Sequence, residues 1–224
     1  MSTITGKTAT DTAMTRIIIV RHGESETNKL GILVGHGDFS LTALGLEQAE
    51  QTAKALENEQ IDAVYSSDLM RAMQTAAPHA KRRGLEVVPI EGLRETYCGV
   101  WEGRRFADLQ ENETEQYVGG FRERFMTFAF PGGETVPESG ERFLRATEQI
   151  ARENEGKTVL IASHGGVIRV FWAMICGEEL ETSSDKIPFP TNASYSVAYF
   201  DGERIRPHAY SCDEHITTVT NVKQ

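Results

Sequence analysis

The run Arg16-Ile17-Ile18-Ile19-Val20 is apolar at every position after the arginine. A strand with one wet face alternates apolar and polar residues, so an unbroken apolar run fits a strand covered on both faces, as in a parallel sheet packed between helices. It ends abruptly at Arg21-His22-Gly23-Glu24, after which a polar, glycine-rich loop is expected to about Leu41. The same order of apolar strand, polar turn and helix returns twice. Ala63-Val64-Tyr65 passes through Ser66-Ser67-Asp68 into a helical stretch from Leu69 to Arg83, and Thr158 to Ala162 passes through Ser163-His164-Gly165-Gly166 into an apolar helix from Val167 to Ile175. This alternation predicts an α/β fold of three layers, α/β/α, with a mostly parallel central sheet. Such sheets bind ligands beyond the carboxyl ends of their strands.

Thr42 is placed to cap a helix with the apolar stripe Leu46, Ala49, Ala53 and Leu56, and Ser67 or Asp68 to cap the next, within which Pro78 predicts a kink or stop. Val87-Val88 predicts a short strand, and Tyr195 to Phe200 with Arg204 to Tyr210 predicts a hairpin around Asp201-Gly202. Residues 1–15 read as a flexible N-terminal tail, and residues 16–224 as a single domain. From about 102 to 138 the strand pattern lapses into a helical insert or lid. Tyr117, Phe121, Phe125 and Phe128 recur there at helical spacing, a stripe expected to pack the insert onto the body or, in the sharper reading, to wall a pocket.

Composition bounds the partners. With 23 Lys and Arg against 33 Asp and Glu, the net charge of −10 argues against nucleic acid or an anionic membrane surface as a partner. No apolar run approaches the roughly 18 residues of a membrane span. Cys98, Cys176 and Cys212 are odd in number and far apart, so reduced thiols and a cytoplasmic location are expected. His36, His79, His208 and His215 lack metal-ligand spacing, and neither metal nor other cofactor is expected. Net charge alone also disfavours an anionic substrate. Yet residues 95–155 hold six of the ten net negative charges, while Arg21, His22, Arg71 and His164 all lie at strand ends that would meet at one rim. Guanidinium forks match phosphate oxygens, and a glycine after each histidine lets the backbone approach a ligand. The expectation is a cationic pocket in an acidic protein.

Five blocks sharpen this. They are Val20-Arg21-His22-Gly23-Glu24-Ser25 with Asn28; Gly35-x-x-Asp38-x-x-Leu41-Thr42-x-x-Gly45; Ser66-Ser67-Asp68-Leu69-x-Arg71-Ala72-x-Gln74-Thr75-Ala76; Leu93-Arg94-Glu95 with Gly99-x-Trp101-Glu102-Gly103; and Ser163-His164-Gly165-Gly166-x-Ile168-Arg169. In this order, over about Arg16 to Phe200, they resemble the histidine phosphatase superfamily, the phosphoglycerate mutase-like proteins. The resemblance implies that family's fold and a metal-independent phosphomonoesterase acting through a phosphohistidine on a small phosphorylated metabolite. It implies His22 as nucleophile, Arg21, Arg71 and His164 as holders of the phosphoryl oxygens, Glu95 as proton donor and acceptor, and Asn28, Gly23, Gly35 and Gly165 around the phosphate. Physical chemistry agrees: two guanidinium groups keep an imidazole neutral and nucleophilic, while a bound anion makes a neighbouring carboxyl harder to ionise.

The alternative within the family is a 2,3-bisphosphoglycerate-dependent phosphoglycerate mutase. The resemblance implies for such enzymes an asparagine after the second His-Gly, a tryptophan near the first motif and a tyrosine three residues after the acid, where this chain has Gly166, Thr27 and Cys98. Arg104, Arg105, Arg122 and Arg124 of the insert are expected on a solvated, salt-bridged face. A non-catalytic phospho-ligand module is disfavoured because every catalytic position is filled. The expected partner is thus a small phosphomonoester, and a homodimer is compatible with the sequence.

Overall fold

In the computed structural model, which describes residues 13–218, the isoleucine run forms the interior strand β1 (Thr15–Arg21) of a six-stranded sheet. Its alternate side chains feed two cores. Ile17 and Ile19 join Phe143, Ile150, Val167 and Phe171 on one face; Ile18 and Val20 join Leu56, Ala76 and Ala80 on the other. Burying each such side chain is worth about 1.5–3 kcal/mol, which holds β1 in the middle of the sheet.

The strand order is β3 (Val87–Pro89), β2 (Ala63–Ser66), β4 (Thr158–Ser163), β1, β5 (Tyr195–Phe200), β6 (Ile205–Cys212). The first four run parallel, and the C-terminal pair is the expected hairpin, with β5 antiparallel to β1. Helices α2 (Ala43–Ala55) and α3 (Met70–Lys81) cover one face, and α5 (Val136–Glu153) and α6 (Gly165–Cys176) the other.

Several expectations change in detail. Residues 1–12 of the expected tail lie outside the described residues, and Thr15 already belongs to β1, its hydroxyl donating to the carbonyls of Ala151 and Asn154. Residues 26–30, expected as loop, form the short helix α1 (Glu26–Leu30), because Ser25 and Asn28 make a reciprocal capping box. Helix α2 starts at the Thr42 cap and buries Ala49, Ala53 and Leu56 of the expected stripe, but its first member, Leu46, is 46% exposed. Gly45 instead faces inward, pressed so closely on the Glu24 carbonyl that a Cβ would come within 2.0 Å of its oxygen. The cap position of α3 is Leu69, whose own side chain makes no capping bond; Ser67 Oγ accepts the Leu69 N–H at 3.4 Å and also meets His164. Pro78 does not stop α3, since the helix ends one turn later and little hydrogen bonding is forfeited.

The insert contains α4 (Phe106–Asn112), a π-helical segment (Glu115–Arg122) and a 3₁₀ turn (Phe125–Thr127), so the aromatic stripe is not one α-helix. Its rings surround the fully buried Trp101, with Phe128 stacked at 5.3 Å and Phe121 edge-on at 6.2 Å, and they pack on Val170 and Ala173 of α6. Arg104 is salt-bridged to Glu113, as the solvated-face reading expects. Among the described residues no helix is long and apolar enough to cross a membrane.

Candidate active site

The β1–β4 ladder sets Arg21 opposite Ser163, so the residues that follow, His22 and His164, leave the sheet side by side with their rings edge-on at 5.2 Å. The Nδ1–H of His22 donates to the Gly23 carbonyl at 2.7 Å. A carbonyl only accepts, so the hydrogen sits on Nδ1 and the lone pair on Nε2. Burial first, then the charges of Arg71 and Arg21, push the His22 pKa well below 6.5, and the ring is neutral. His164 is neutral for the same reasons, burial and Arg71. Its Nε2 lies 2.8 Å from Ser67 Oγ, while its buried Nδ1 has no partner among the described residues.

Arg71 rises from α3, where Nη1 donates to the Gly37 carbonyl at 2.9 Å and Nη2 to the Gly35 carbonyl at 2.8 Å. That loop is itself held by one carboxylate. Glu102 Oε1 accepts the N–H groups of Gly35, His36 and Cys98 at 2.9–3.1 Å, and Oε2 accepts Gly37 at 3.3 Å. Arg21 donates to the Pro190 carbonyl and lies against Gly165, where a Cβ would come within 3.0 Å of its Nε. Burial lowers the Arg21 pKa to about 10, partly offset by Glu95, so the side chain stays charged at neutral pH.

Glu95 is seated on the N-terminus of α6. Its carboxylate accepts the N–H groups of Gly166 and Val167 at 2.8 Å each, and that of Thr96 at 2.9 Å. Its carbonyl is gripped by Arg142 at 3.0 Å and His36 at 2.9 Å. Phe125 borders this carboxylate: a Cβ on Gly166 would lie 2.8 Å from Glu95 Oε1 and 3.1 Å from Phe125 Cζ. The insert therefore both packs on the body and reaches the site. Two neutral imidazoles, two guanidinium groups and a carboxylate face one another at the carboxyl end of the sheet, and the family model of the histidine phosphatase superfamily (branch 1) matches residues 17–213.

The chain belongs to the histidine phosphatase superfamily. It is 32% identical to a metal-independent phosphoserine phosphatase of Arabidopsis thaliana over 93% of this chain and 86% of that one. Among solved structures it is similar to a mycobacterial glucosyl-3-phosphoglycerate phosphatase in complex with VO3, at 29% identity and TM-score 0.79, over 88% of this chain and 98% of that one. A phosphoserine phosphatase of Entamoeba histolytica, in complex with 3-phosphoglyceric acid, gives 27% identity and TM-score 0.76 over 90% and 99%.

Of the residues expected in this histidine phosphatase site, Arg21, His22, Arg71, Glu95 and His164 are brought together, with Gly165 against Arg21. Gly23 and Gly35 sit one step back. Gly23 gives its N–H to Thr75 and its carbonyl to His22, and Gly35 gives its N–H to Glu102 and its carbonyl to Arg71. Asn28 Oδ1 accepts the Ser25 N–H and faces Asn192, whose Nδ2 also donates to the His22 carbonyl at 3.1 Å. Four supports were not expected in the site: Ser67, read only as a helix cap, Glu102, Arg142 and Asn192. Glu102 stands in the motif Gly99-x-Trp101-Glu102-Gly103, and its place in a glycine-flanked turn is the available signal. Asn192 acts on a residue 170 positions away, beyond any local pattern.

Proposed function

We propose that the protein hydrolyses a small phosphomonoester through a phosphorylated His22. Nε2 attacks phosphorus and the ester P–O bond breaks. Glu95, carrying a proton, gives it to the departing oxygen and the alcohol leaves. The Glu95 carboxylate then takes a proton from water, whose oxygen attacks phosphorus, breaks the P–N bond and releases inorganic phosphate; both side chains return to their starting states. The observation that carries this reading is the fixed tautomer of a neutral His22. It presents a lone pair to phosphorus and, once phosphorylated, places the ring's positive charge against the Gly23 carbonyl. Arg21, Arg71 and a hydrogen on His164 Nδ1 would hold the oxygens. Each cation at about 4 Å is worth roughly 4 kcal/mol at an effective dielectric near 20, the scale phosphoryl transfer requires.

Hydrolysis is favoured over transfer within one molecule. Gly166 abuts Glu95 and Phe125, leaving no room for the side chain that the mutase branch carries there. The relatives named as phosphatases support the same choice. A reducing, cytoplasmic setting suits the three free thiols Cys98, Cys176 and Cys212.

Phosphate release from a panel of small phosphomonoesters, with chelator present, tests the reading. Wild type should turn over, an acid-labile phosphoprotein should be trapped, and His22→Ala should do neither; undiminished turnover by that variant refutes it. Conversion of 3- to 2-phosphoglycerate faster than phosphate release, stimulated by 2,3-bisphosphoglycerate, would establish the mutase instead.

A further inference from the structure

Gln48 is 1% exposed on α2, and its side-chain amide is bonded at both ends. Oε1 accepts the Glu24 N–H at 2.8 Å, and Nε2 donates to the Thr218 carbonyl at 3.2 Å. The second bond fixes which end of the amide meets Glu24, since the reverse orientation would set donor against donor at one end and carbonyl against carbonyl at the other.

The Glu24 N–H belongs to the same peptide unit as the Gly23 carbonyl, which accepts from His22 Nδ1 at 2.7 Å. A trans peptide unit is planar and its N–H and C=O point in opposite directions, so whatever fixes one fixes the other. The bonds therefore form one chain. The Thr218 carbonyl accepts from Gln48 Nε2, Gln48 Oε1 accepts the Glu24 N–H, and the Gly23 carbonyl of that peptide accepts the hydrogen of His22 Nδ1. Each bond polarises the next.

The peptide units on either side have other anchors. The His22 carbonyl is held by Asn192 and the Gly23 N–H by Thr75 Oγ1, while the Glu24 carbonyl accepts the Thr42 N–H at 2.9 Å. For the unit between them, no group other than Gln48 accepts the N–H among the described residues. Gly23, without a Cβ, would let that unit turn.

We propose that Gln48 is a positioning residue for the nucleophile: acting through the Gly23–Glu24 peptide, it keeps the hydrogen on His22 Nδ1 and the Nε2 lone pair free for phosphorus. The same chain supports the positive ring once Nε2 is phosphorylated. The proposal rests on the phosphatase reading and adds a residue that touches neither substrate nor reacting atoms. The rival is a Gln48 that merely fastens Thr218 to α2, beside the bonds that Gln51 makes to Thr217.

Imidazole nitrogen NMR of the substrate-free protein at neutral pH separates the two, because it reads the tautomer directly. Wild type should show His22 with its hydrogen on Nδ1. Gln48→Met keeps the length and removes the acceptor; the Glu24 N–H then turns toward water, carries the Gly23 carbonyl off Nδ1, and leaves His22 a mixture of both tautomers. Its kcat should fall about tenfold, the equivalent of one hydrogen bond, while inhibition by inorganic phosphate changes less than about twofold. Gln48→Glu should restore the tautomer and most of kcat, since either protonation state of the new carboxyl offers an oxygen to the Glu24 N–H. Gln48→Asn, whose amide is drawn back by one methylene, should behave like the methionine variant and serves if that one does not fold.

A wild-type tautomer or a wild-type kcat in the methionine or asparagine variant overturns the proposal, and so does a wild type with the hydrogen on Nε2. A wild type that hydrolyses no ester and forms no phosphohistidine removes the phosphatase reading and this proposal together. Hydrolysis with an unmoved tautomer removes only this one.

Discussion

Glu102 touches no group expected to react, yet it gathers four backbone amides, two of them in the glycines whose carbonyls hold Arg71. Glu102→Ala leaves those amides to water and frees the loop. If Arg71 then sits about 6 Å instead of about 4 Å from the phosphoryl charge, its contribution at an effective dielectric near 20 falls from about 4 to about 3 kcal/mol, which costs roughly tenfold in rate. Losing charge-assisted bonds at a partly solvated site should destabilise the fold by about 3 kcal/mol, or some 6–12 °C in Tm for a chain of this size. Glu102→Gln should recover most of both. Its carbonyl can stand at Oε1, which serves three amides, leaving its NH₂ against Gly37, whose bond is the longest at 3.3 Å. Steady-state kinetics on the single and double variants with Arg71→Ala decide the route. If Glu102 acts through Arg71, the double variant is no slower than Arg71→Ala alone. Fully additive losses, or wild-type kcat/KM in Glu102→Ala, refute the reasoning.

Other substitutions probe the same framework. His79 is fully buried, neither ring nitrogen has a partner among the described residues, and burial followed by Arg83 and Arg82 lowers its pKa to about 3. The unfolded chain, with an ordinary pKa near 6.5, takes up this proton first, so stability falls as pH drops from about 6.5 toward 3, by about 2 kcal/mol at pH 5. His79→Leu should narrow the difference in urea-unfolding free energy between pH 7.5 and 5 by about that amount; an unchanged difference contradicts the assignment. Gly166→Ala should displace the Glu95 carboxylate and lower kcat about tenfold while inhibition by inorganic phosphate stays as in wild type, and an unaltered kcat would disprove the crowding. Ser67→Ala should free the His164 tautomer, raise KM about tenfold near neutrality and shift the acid limb of the pH profile, with Ser67→Thr restoring part; equal KM values across pH would show that Ser67 does not orient His164.

How far the sequence can be read depends on the range of the forces involved. The isoleucine run announces its own burial, and the strand-end positions of Arg21, His22 and His164 follow from it, because the parallel register converts two local patterns into one juxtaposition. Helix α1 was missed because its cause is a single reciprocal pair, Ser25 with Asn28, in a stretch rich in glycine and polar residues. The stripe of α2 is legible at Ala49, Ala53 and Leu56 and fails only in the first turn, where the close approach of Gly45 to Glu24 leaves Leu46 outside. The supports Arg142 and Asn192 were illegible for another reason. Each works by donating to a backbone carbonyl, of Glu95 and His22 respectively, and every residue offers one, so nothing in the partner's identity marks the contact.

The conflict between an acidic chain and an anion substrate resolves in how the charges are partnered. Outside the pocket, arginines pair with carboxylates: Arg94 with Asp68, Arg142 with Glu134, Arg104 with Glu113. Within it, cations are held by carbonyl oxygens, Arg71 by Gly35 and Gly37 and Arg169 by Ser184 and Ile187, while the carboxylates of Glu95 and Glu102 are held by backbone amides. A carbonyl fixes the direction of a guanidinium without neutralising it, and an amide does the same for a carboxylate. On the proposed reading, phosphate would meet an Arg71 that is aligned without being ion-paired among the described residues, and the −10 of the whole chain would bear on encounter more than on chemistry.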